Sequence, residues 1–123
     1  MRSALAGYRI LVLEDEFFLA AELEDLLTEV GADVIGPIGS LQEALTRVGT
    51  NDLDLAILDI ALGDDLAYSV ADALAERGVP FLFASAYSPA EIAPKFRDRP
   101  LVEKPYDSRM LIEALVELTG SSA

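Results

Sequence analysis

Leu53-Asp54-Leu55-Ala56-Ile57-Leu58-Asp59 is an apolar run that stops on an acid, and its reading decides the fold. Past Asp54 it lacks polar alternation, the pattern of a strand covered on both faces inside a parallel sheet. Ile60-Ala61-Leu62-Gly63-Asp64-Asp65 then turns away, which leaves Asp59 at the strand's carboxyl end. Open α/β sheets bind ligands at that rim. On this stretch alone a turn-capping role for Asp59 is equally open, because Asp often closes turns.

Working outward, each flank repeats the same alternation. Tyr8–Leu13 is a short apolar run, the first strand, and it ends on Glu14-Asp15-Glu16. From Glu16 to Val30 the period becomes helical, with Leu19, Leu23, Leu26, Leu27 and Val30 on one face and Gly31 as the stop. Asp33–Gly36 is a weak second strand halted by Gly36-Pro37, and Ser40-Leu41-Gln42-Glu43 reads as a capping box. The helix it opens should bury Leu41, Ala44, Leu45 and Val48.

Downstream of Asp59, Leu66–Arg77 reads as the third helix, with Leu66, Val70, Ala73 and Leu74 inward. Pro80–Ala84 is the fourth strand, and Ser85-Ala86-Tyr87 leaves its end. Ser88-Pro89-Ala90-Glu91 is a second capping box, but Pro94 follows at once, so a fourth helix must be short or irregular. Leu101–Glu103 is the fifth strand, with Lys104-Pro105 after it. The last helix starts at Asp107 or Ser108 and buries Leu111, Ala114, Leu115 and Leu118. Met1–Gly7 has no periodicity and reads as a loose arm.

Five strands alternating with five helices imply right-handed crossovers. The expected fold is α/β: a doubly wound five-stranded parallel sheet in the flavodoxin-like order 2-1-3-4-5, with helices on both faces. Residues 1–123 form one domain, with its core over about 8–119. Hydrophobic residues make up 52% of the chain, enough for a core that needs no staples.

Composition also removes functions. No apolar window approaches the ~18 residues of a membrane span, and no signal peptide is evident. With no Cys there is no disulfide framework or thiolate metal site, which fits a cytoplasmic protein. The absence of His excludes a Ser-His-Asp triad, a His-ligated zinc and a phosphohistidine on this chain. A net charge of −13 repels phosphate backbones, so nucleic acid is not an expected partner.

In the expected strand order the first and third strands are neighbours at the topological switch point, where a crevice opens. Glu14, Asp15 and Asp59 then converge on one cleft, although they are far apart in sequence. Like charges a few Å apart require a counter-charge. An oxygen-only site of this kind suits Mg²⁺, which accepts carboxylate and phosphate oxygens. The fourth and fifth strands bring Ser85 and Lys104 to the same rim, where a hydroxyl and an ammonium suit a phosphoryl group. Each residue alone has a plainer reading: helix-start acids for Glu14 and Asp15, a loop hydroxyl for Ser85, a surface lysine for Lys104. The combination in chain order is what carries the specificity.

Leu13-Glu14-Asp15-Glu16, Leu58-Asp59-Ile60, Ala84-Ser85 and Lys104-Pro105 together resemble the receiver domain of two-component response regulators, over roughly Tyr8 to Thr119. Pro80–Tyr87 with Glu103-Lys104-Pro105-Tyr106 is similar to the FATGUY receivers, a bacterial subgroup often found as stand-alone or stress-signalling regulators. The resemblance implies that Asp59 is the phosphoacceptor, not an enzyme's nucleophile, and that Glu14, Asp15, Asp59 and the Ala61 carbonyl bind Mg²⁺. It implies that Ser85 contacts the phosphoryl group, that Lys104 binds it, and that the bond before Pro105 is cis. Lys104 is accordingly expected to matter more to signalling than to folding. The implied partners are a histidine kinase or phosphotransfer protein and a downstream protein target, for a monomer or weak dimer.

The chain departs from the family pattern in places. Glu14 stands where most receivers have Asp, and Leu101 where most have an aromatic switch residue. Tyr87, two residues past Ser85, is bulky enough to replace that aromatic, with Ser88–Pro94 as a cheaply rearranged segment beside it. Two competing readings are a phosphorylation-independent receiver and a haloacid-dehalogenase-like phosphatase. The second would want a general acid two residues after Asp59, where this chain has Ala61.

Overall fold

The computed structural model describes residues 4–120. Its central sheet has strands β1 (Arg9–Leu13), β2 (Asp33–Ile38), β3 (Leu55–Leu58), β6 (Phe81–Ser85) and β7 (Leu101–Glu103). They lie in the order β2-β1-β3-β6-β7, every pair parallel. This is the expected flavodoxin-like arrangement. Strands β4 (Ala61–Leu62) and β5 (Asp65–Leu66) form a small antiparallel hairpin of their own. The helices are α1 (Phe17–Glu29), α2 (Leu41–Thr50), α3 (Tyr68–Glu76) and α4 (Ser108–Leu118).

The uninterrupted apolar runs have a direct cause. Successive strand residues point to opposite faces, and here each face has its own core. Ile10, Val12, Leu55, Ile57, Leu82 and Ala84 pack with Leu23 and Leu27 of α1 and Leu111 and Leu115 of α4. Their neighbours Leu11, Leu13, Ala56, Leu58, Phe81 and Phe83 pack on the other face with α2 and α3 through Ala44, Val48, Val70 and Leu74. Polar alternation would leave one face of the sheet wet, so none is tolerated.

Several elements differ from expectation. The second strand does not stop at Gly36-Pro37 but runs on to Ile38, which pairs with Leu13 after a register shift. It is an edge strand, where a proline's missing N–H is tolerated. Gly36 permits the passage with φ +112°, and the bonds before Pro37 and Pro105 are both cis.

The third helix begins at Tyr68 rather than Leu66, because Ala61–Leu66 is taken up by the hairpin. Leu66 is therefore exposed, as is Leu45 on α2. Gly63-Asp64 forms a two-residue loop between the hairpin strands, with φ +57° at Gly63, a sign that favours glycine there. The loose arm is also corrected: Leu5 is fully buried in the α1/α4 core, and the Gly7 N–H donates to the Gly31 carbonyl at 2.8 Å. Residues 1–3 of that arm lie outside the described residues.

Four α-helices are present among the described residues, not five. Between β6 and β7 the chain makes two 3₁₀ turns, Pro89–Glu91 and Pro94–Phe96. Proline at the start of each turn and within reach of the preceding one prevents a continuous i→i−4 ladder. Side chains replace the missing helix. Phe96 is buried and stacks on Tyr68 at 5.7 Å, while the Tyr68 hydroxyl accepts from the Ala93 N–H at 3.0 Å. Arg97 donates to the carbonyls of Ile92 and Ala90, and Arg99 lies 4.3 Å over the Phe81 ring. The segment is thus well anchored, contrary to the expectation of a cheaply rearranged loop.

Two experiments test this account. A Cβ on Gly36 would lie 2.8 Å from the Ile38 nitrogen and 2.9 Å from the Val12 carbonyl oxygen. Gly36→Ala should cost at least about 1–3 kcal/mol from backbone strain before that overlap is counted. Gly78→Ala, at φ +71° with open space around the new methyl, should cost less. Urea denaturation of both variants checks the ranking, and equal losses would mean the β2 passage is not tight.

The second concerns Glu91, whose carboxyl accepts from the Ser88 N–H at 2.8 Å and Oγ–H at 2.9 Å. Those bonds hold it below the ordinary carboxylate range. A depressed acid contributes stability above its unfolded pKa and loses it as pH falls through the folded value. Ser88→Ala should return the Glu91 titration, followed by carboxyl ¹³C shifts, toward the usual range. An unmoved midpoint would discard the cap.

Candidate functional site

Backbone hydrogen bonds extend past the strands and set the rim of the sheet. The Glu14 N–H donates to the Ile38 carbonyl at 2.9 Å, Asp59 N–H to Leu13 at 2.9 Å, and Lys104 N–H to Ser85 at 2.8 Å. Residues that follow three different strands are thereby held at the rim. Glu14 and Asp59 are 3% and 7% exposed, while Asp15 faces solvent.

The Lys104 ammonium sits between the two buried acids, 2.8 Å from Glu14 Oε1 and 2.8 Å from Asp59 Oδ2. Carboxylate oxygens of Glu14, Asp15 and Asp59 lie within 4.8 Å of one another. Three acids and one base leave two negative charges in excess, a balance that attracts a cation. The donors are all oxygens, which suits a hard divalent ion such as Mg²⁺. Glu14, Asp15 and Asp59 fit that role by the chemistry of the donor set. The Ala61 carbonyl belongs to the segment directly after Asp59, whose Oδ1 accepts a long 3.4 Å bond from the Ala61 N–H.

Protonation follows from the same packing. Burial raises the Glu14 carboxyl above its ordinary range, and the nearby Asp59 charge adds to this. Hydrogen bonds from Lys104 and the Glu16 N–H oppose the rise without cancelling it. Burial would lower Lys104, but its bonds to Asp59 and Glu14 outweigh that and hold it above its usual value. Lys104 is therefore a fixed cation at neutral pH.

Ser85 is completely buried at the end of β6, and its Oγ accepts from the Tyr87 N–H at 3.4 Å. Tyr87 and Leu101 are half-buried and pack on the same α2/α3 core. Lys104 is thus in contact with Glu14 and Asp59, Asp15 has a carboxylate oxygen within 4.8 Å of theirs, and Ser85 ends the neighbouring strand.

Two further features escaped the sequence reading. Gly63 N–H of the β4–β5 hairpin donates to Asp15 Oδ2 at 3.0 Å, across 48 positions. A Gly-Asp pair between short apolar segments was the available signal for that hairpin. Tyr106 was read only as part of a family motif, yet its hydroxyl is buried without a hydrogen-bond partner among the described residues. Burial, and then the charges of Glu14, Glu22 and Asp59, push that hydroxyl's pKa upward.

Comparison with known proteins agrees with this geometry. No family model matches the chain. SdrG of Sphingomonas melonis Fr1 is 39% identical, with a TM-score of 0.80 over 94% of this chain and 98% of that one. The REC domain of the PhyR response regulator of Erythrobacter litoralis is 26% identical, with a TM-score of 0.82 over 98% of both chains. The transcriptional regulatory protein PdtaR of Mycobacterium tuberculosis is 29% identical over 114 residues, 87% of this chain and 54% of the relative. The chain spans about half the length of the curated relatives it matches. With a parallel sheet in the order β2-β1-β3-β6-β7 and an acid–lysine cluster at its carboxyl rim, this chain belongs to the receiver-domain family of response regulators.

Proposed function

We propose that this receiver accepts a phosphoryl group on Asp59 from a phosphohistidine on a histidine kinase or phosphotransfer protein, and signals by protein contacts. The observation that carries the reading is the Lys104 ammonium held 2.8 Å from both Asp59 and Glu14 beside a solvent-facing Asp15. In the proposed step an Asp59 oxygen attacks phosphorus in line while the phosphorus–nitrogen bond breaks, its electron pair leaving with the imidazole. Lys104 orients the Asp59 carboxylate before transfer and neutralises phosphoryl oxygens after it. The Ser85 hydroxyl then donates to one of those oxygens.

Glu14, Asp15, Asp59 and the Ala61 carbonyl would hold Mg²⁺. When bound, the ion supplies positive charge against both the excess carboxylates and the incoming phosphoryl oxygens. We assign the response to Tyr87 and Leu101. What supports this is the Tyr87 N–H bond to Ser85 Oγ and the shared core that both side chains touch. The anchored 3₁₀ turns beyond residue 88 confine the movement to the short stretch that links them to Ser85. No helix among the described residues is long and apolar enough to cross a membrane.

Incubation with acetyl phosphate and Mg²⁺ should add one base-labile phosphoryl group by intact mass, absent from Asp59→Asn and suppressed by a chelator. Signals of Ser85, Tyr87 and Leu101 should shift on modification. Full labelling of Asp59→Asn would refute the acceptor, whereas labelling with unmoved Tyr87 and Leu101 resonances would refute only the switch.

The geometry also revises the expected effect of losing Lys104. Its side chain compensates two buried acids, so Lys104→Met leaves like charges facing each other out of water. Breaking such a pair costs roughly 3 kcal/mol. Urea denaturation at neutral pH should show a loss of that order, reduced by saturating Mg²⁺. Wild-type stability in Lys104→Met would restore the view that this lysine serves signalling alone.

A further inference from the structure

Asp15 is the exposed member of the acid cluster, and its place there needs a physical cause. Glu14 and Asp59 are buried and share the Lys104 ammonium, whereas Asp15 has no ion-pair partner among the described residues. Like charges repel, and a short side chain in water can turn away from them. Yet a carboxylate oxygen of Asp15 lies within 4.8 Å of oxygens from both other acids. The one hydrogen bond its side chain accepts among the described residues comes from the Gly63 N–H, at 3.0 Å to Oδ2. Glu14 and Asp59 are each tied to an N–H two residues on, but Asp15 depends on a segment 48 positions away.

The β4–β5 hairpin is shaped to present that N–H. Leu62 is buried in the α2/α3 core and anchors β4 there. Ala61 pairs with Leu66 and Leu62 with Asp65, so the tip at Gly63-Asp64 lies beyond the ladder and its first N–H goes to Asp15. Gly63 has φ +57°, and a Cβ there would meet nothing within 4 Å, so backbone conformation rather than space favours glycine. With Oδ2 held, Asp15 Oδ1 is the one oxygen of the three carboxylates without a hydrogen bond or ion pair among the described residues.

We propose that Gly63 is a positioning residue for the cation: its N–H keeps Asp15 in the cluster against repulsion, and the hairpin tip thereby sets divalent-ion affinity. This rests on the reading of Glu14, Asp15 and Asp59 as the Mg²⁺ site. Groups that orient a metal ligand are worth about 10–100-fold in affinity. The coupling is reciprocal, so an ion that fixes Asp15 strengthens the Gly63 bond by a similar factor.

The test is Mg²⁺ titration of the whole unphosphorylated chain, followed by NMR, in wild type and two variants. Gly63→Pro lacks the N–H and cannot take a positive φ, while Leu62 before it is already extended, as a proline requires. Gly63→Asn keeps the N–H and tolerates the left-handed region. Gly63→Pro should weaken Mg²⁺ at least about tenfold, with Gly63→Asn within about twofold of wild type. In the wild type, saturating Mg²⁺ should slow exchange of the Gly63 amide at least about tenfold. That measurement needs no variant, so it decides the matter if Gly63→Pro does not fold. Wild-type affinity in Gly63→Pro, or a Gly63 amide whose exchange ignores bound Mg²⁺, would overturn the inference and leave the metal site standing. Equal losses in both variants would overturn it too, by tying affinity to the glycine rather than to its N–H. Absence of saturable binding by the wild type would overturn the metal site and the inference together.

Discussion

Two buried carboxylates share one ammonium, and the rim of this sheet is arranged to make that possible. Glu14 and Asp59 are both buried, burial pushes the Glu14 carboxyl up, and Lys104 has a favourable place only because both acids are there. The contact requires residues from the ends of β1, β3 and β7 to meet within hydrogen-bond distance. The main chain provides this by continuing its hydrogen bonding beyond the strands, from Ile38 through Leu13 and Ser85. The two cores hold the strands in parallel register, and the register sets the acids and the lysine at one level.

Much of this architecture was legible because double-sided burial leaves a simple trace. Leu55–Leu58 and Phe81–Ala84 are apolar at every position since each face of the sheet is covered, and acids or a lysine stand where the cover ends. The elements that were misread are those whose state depends on distant partners. Leu66 carries an apolar side chain at helical spacing from Val70, yet the hairpin claims it and turns it outward. Leu5 has no period around it, and only the assembled α1/α4 core reveals its place. Gly36-Pro37 looks like a stop in sequence, but on an edge strand it is a bend that the pairing survives.

The candidate site divides the same way. Glu14, Asp15, Asp59, Ser85 and Lys104 were recognisable because each directly follows or ends a strand, where strand order alone determines proximity. The bond from Gly63 N–H to Asp15 was not, as it depends on how the six-residue hairpin Ala61–Leu66 folds back toward the end of β1. Nor was the lack of a hydrogen-bond partner for the buried Tyr106 hydroxyl among the described residues, which leaves no mark in a residue string. The burial of Glu14 and Asp59, the partners of Lys104, was not legible either, because burial appears only in three dimensions.

The 3₁₀ turns between β6 and β7 carry a consequence for recognition. An α-helix offers a docking protein ridges at three- and four-residue spacing, and helix–helix contacts use those ridges to set their crossing angles. Pro89–Glu91 and Pro94–Phe96 offer no such ridges, and their shape is imposed from beneath by Tyr68, Phe81 and Phe96. A protein that reads this side of the domain must match an irregular relief by shape and hydrogen bonding rather than mesh with it as one gear meshes with another. A partner shaped to mesh with an α-helix would find no such ridges on these two turns.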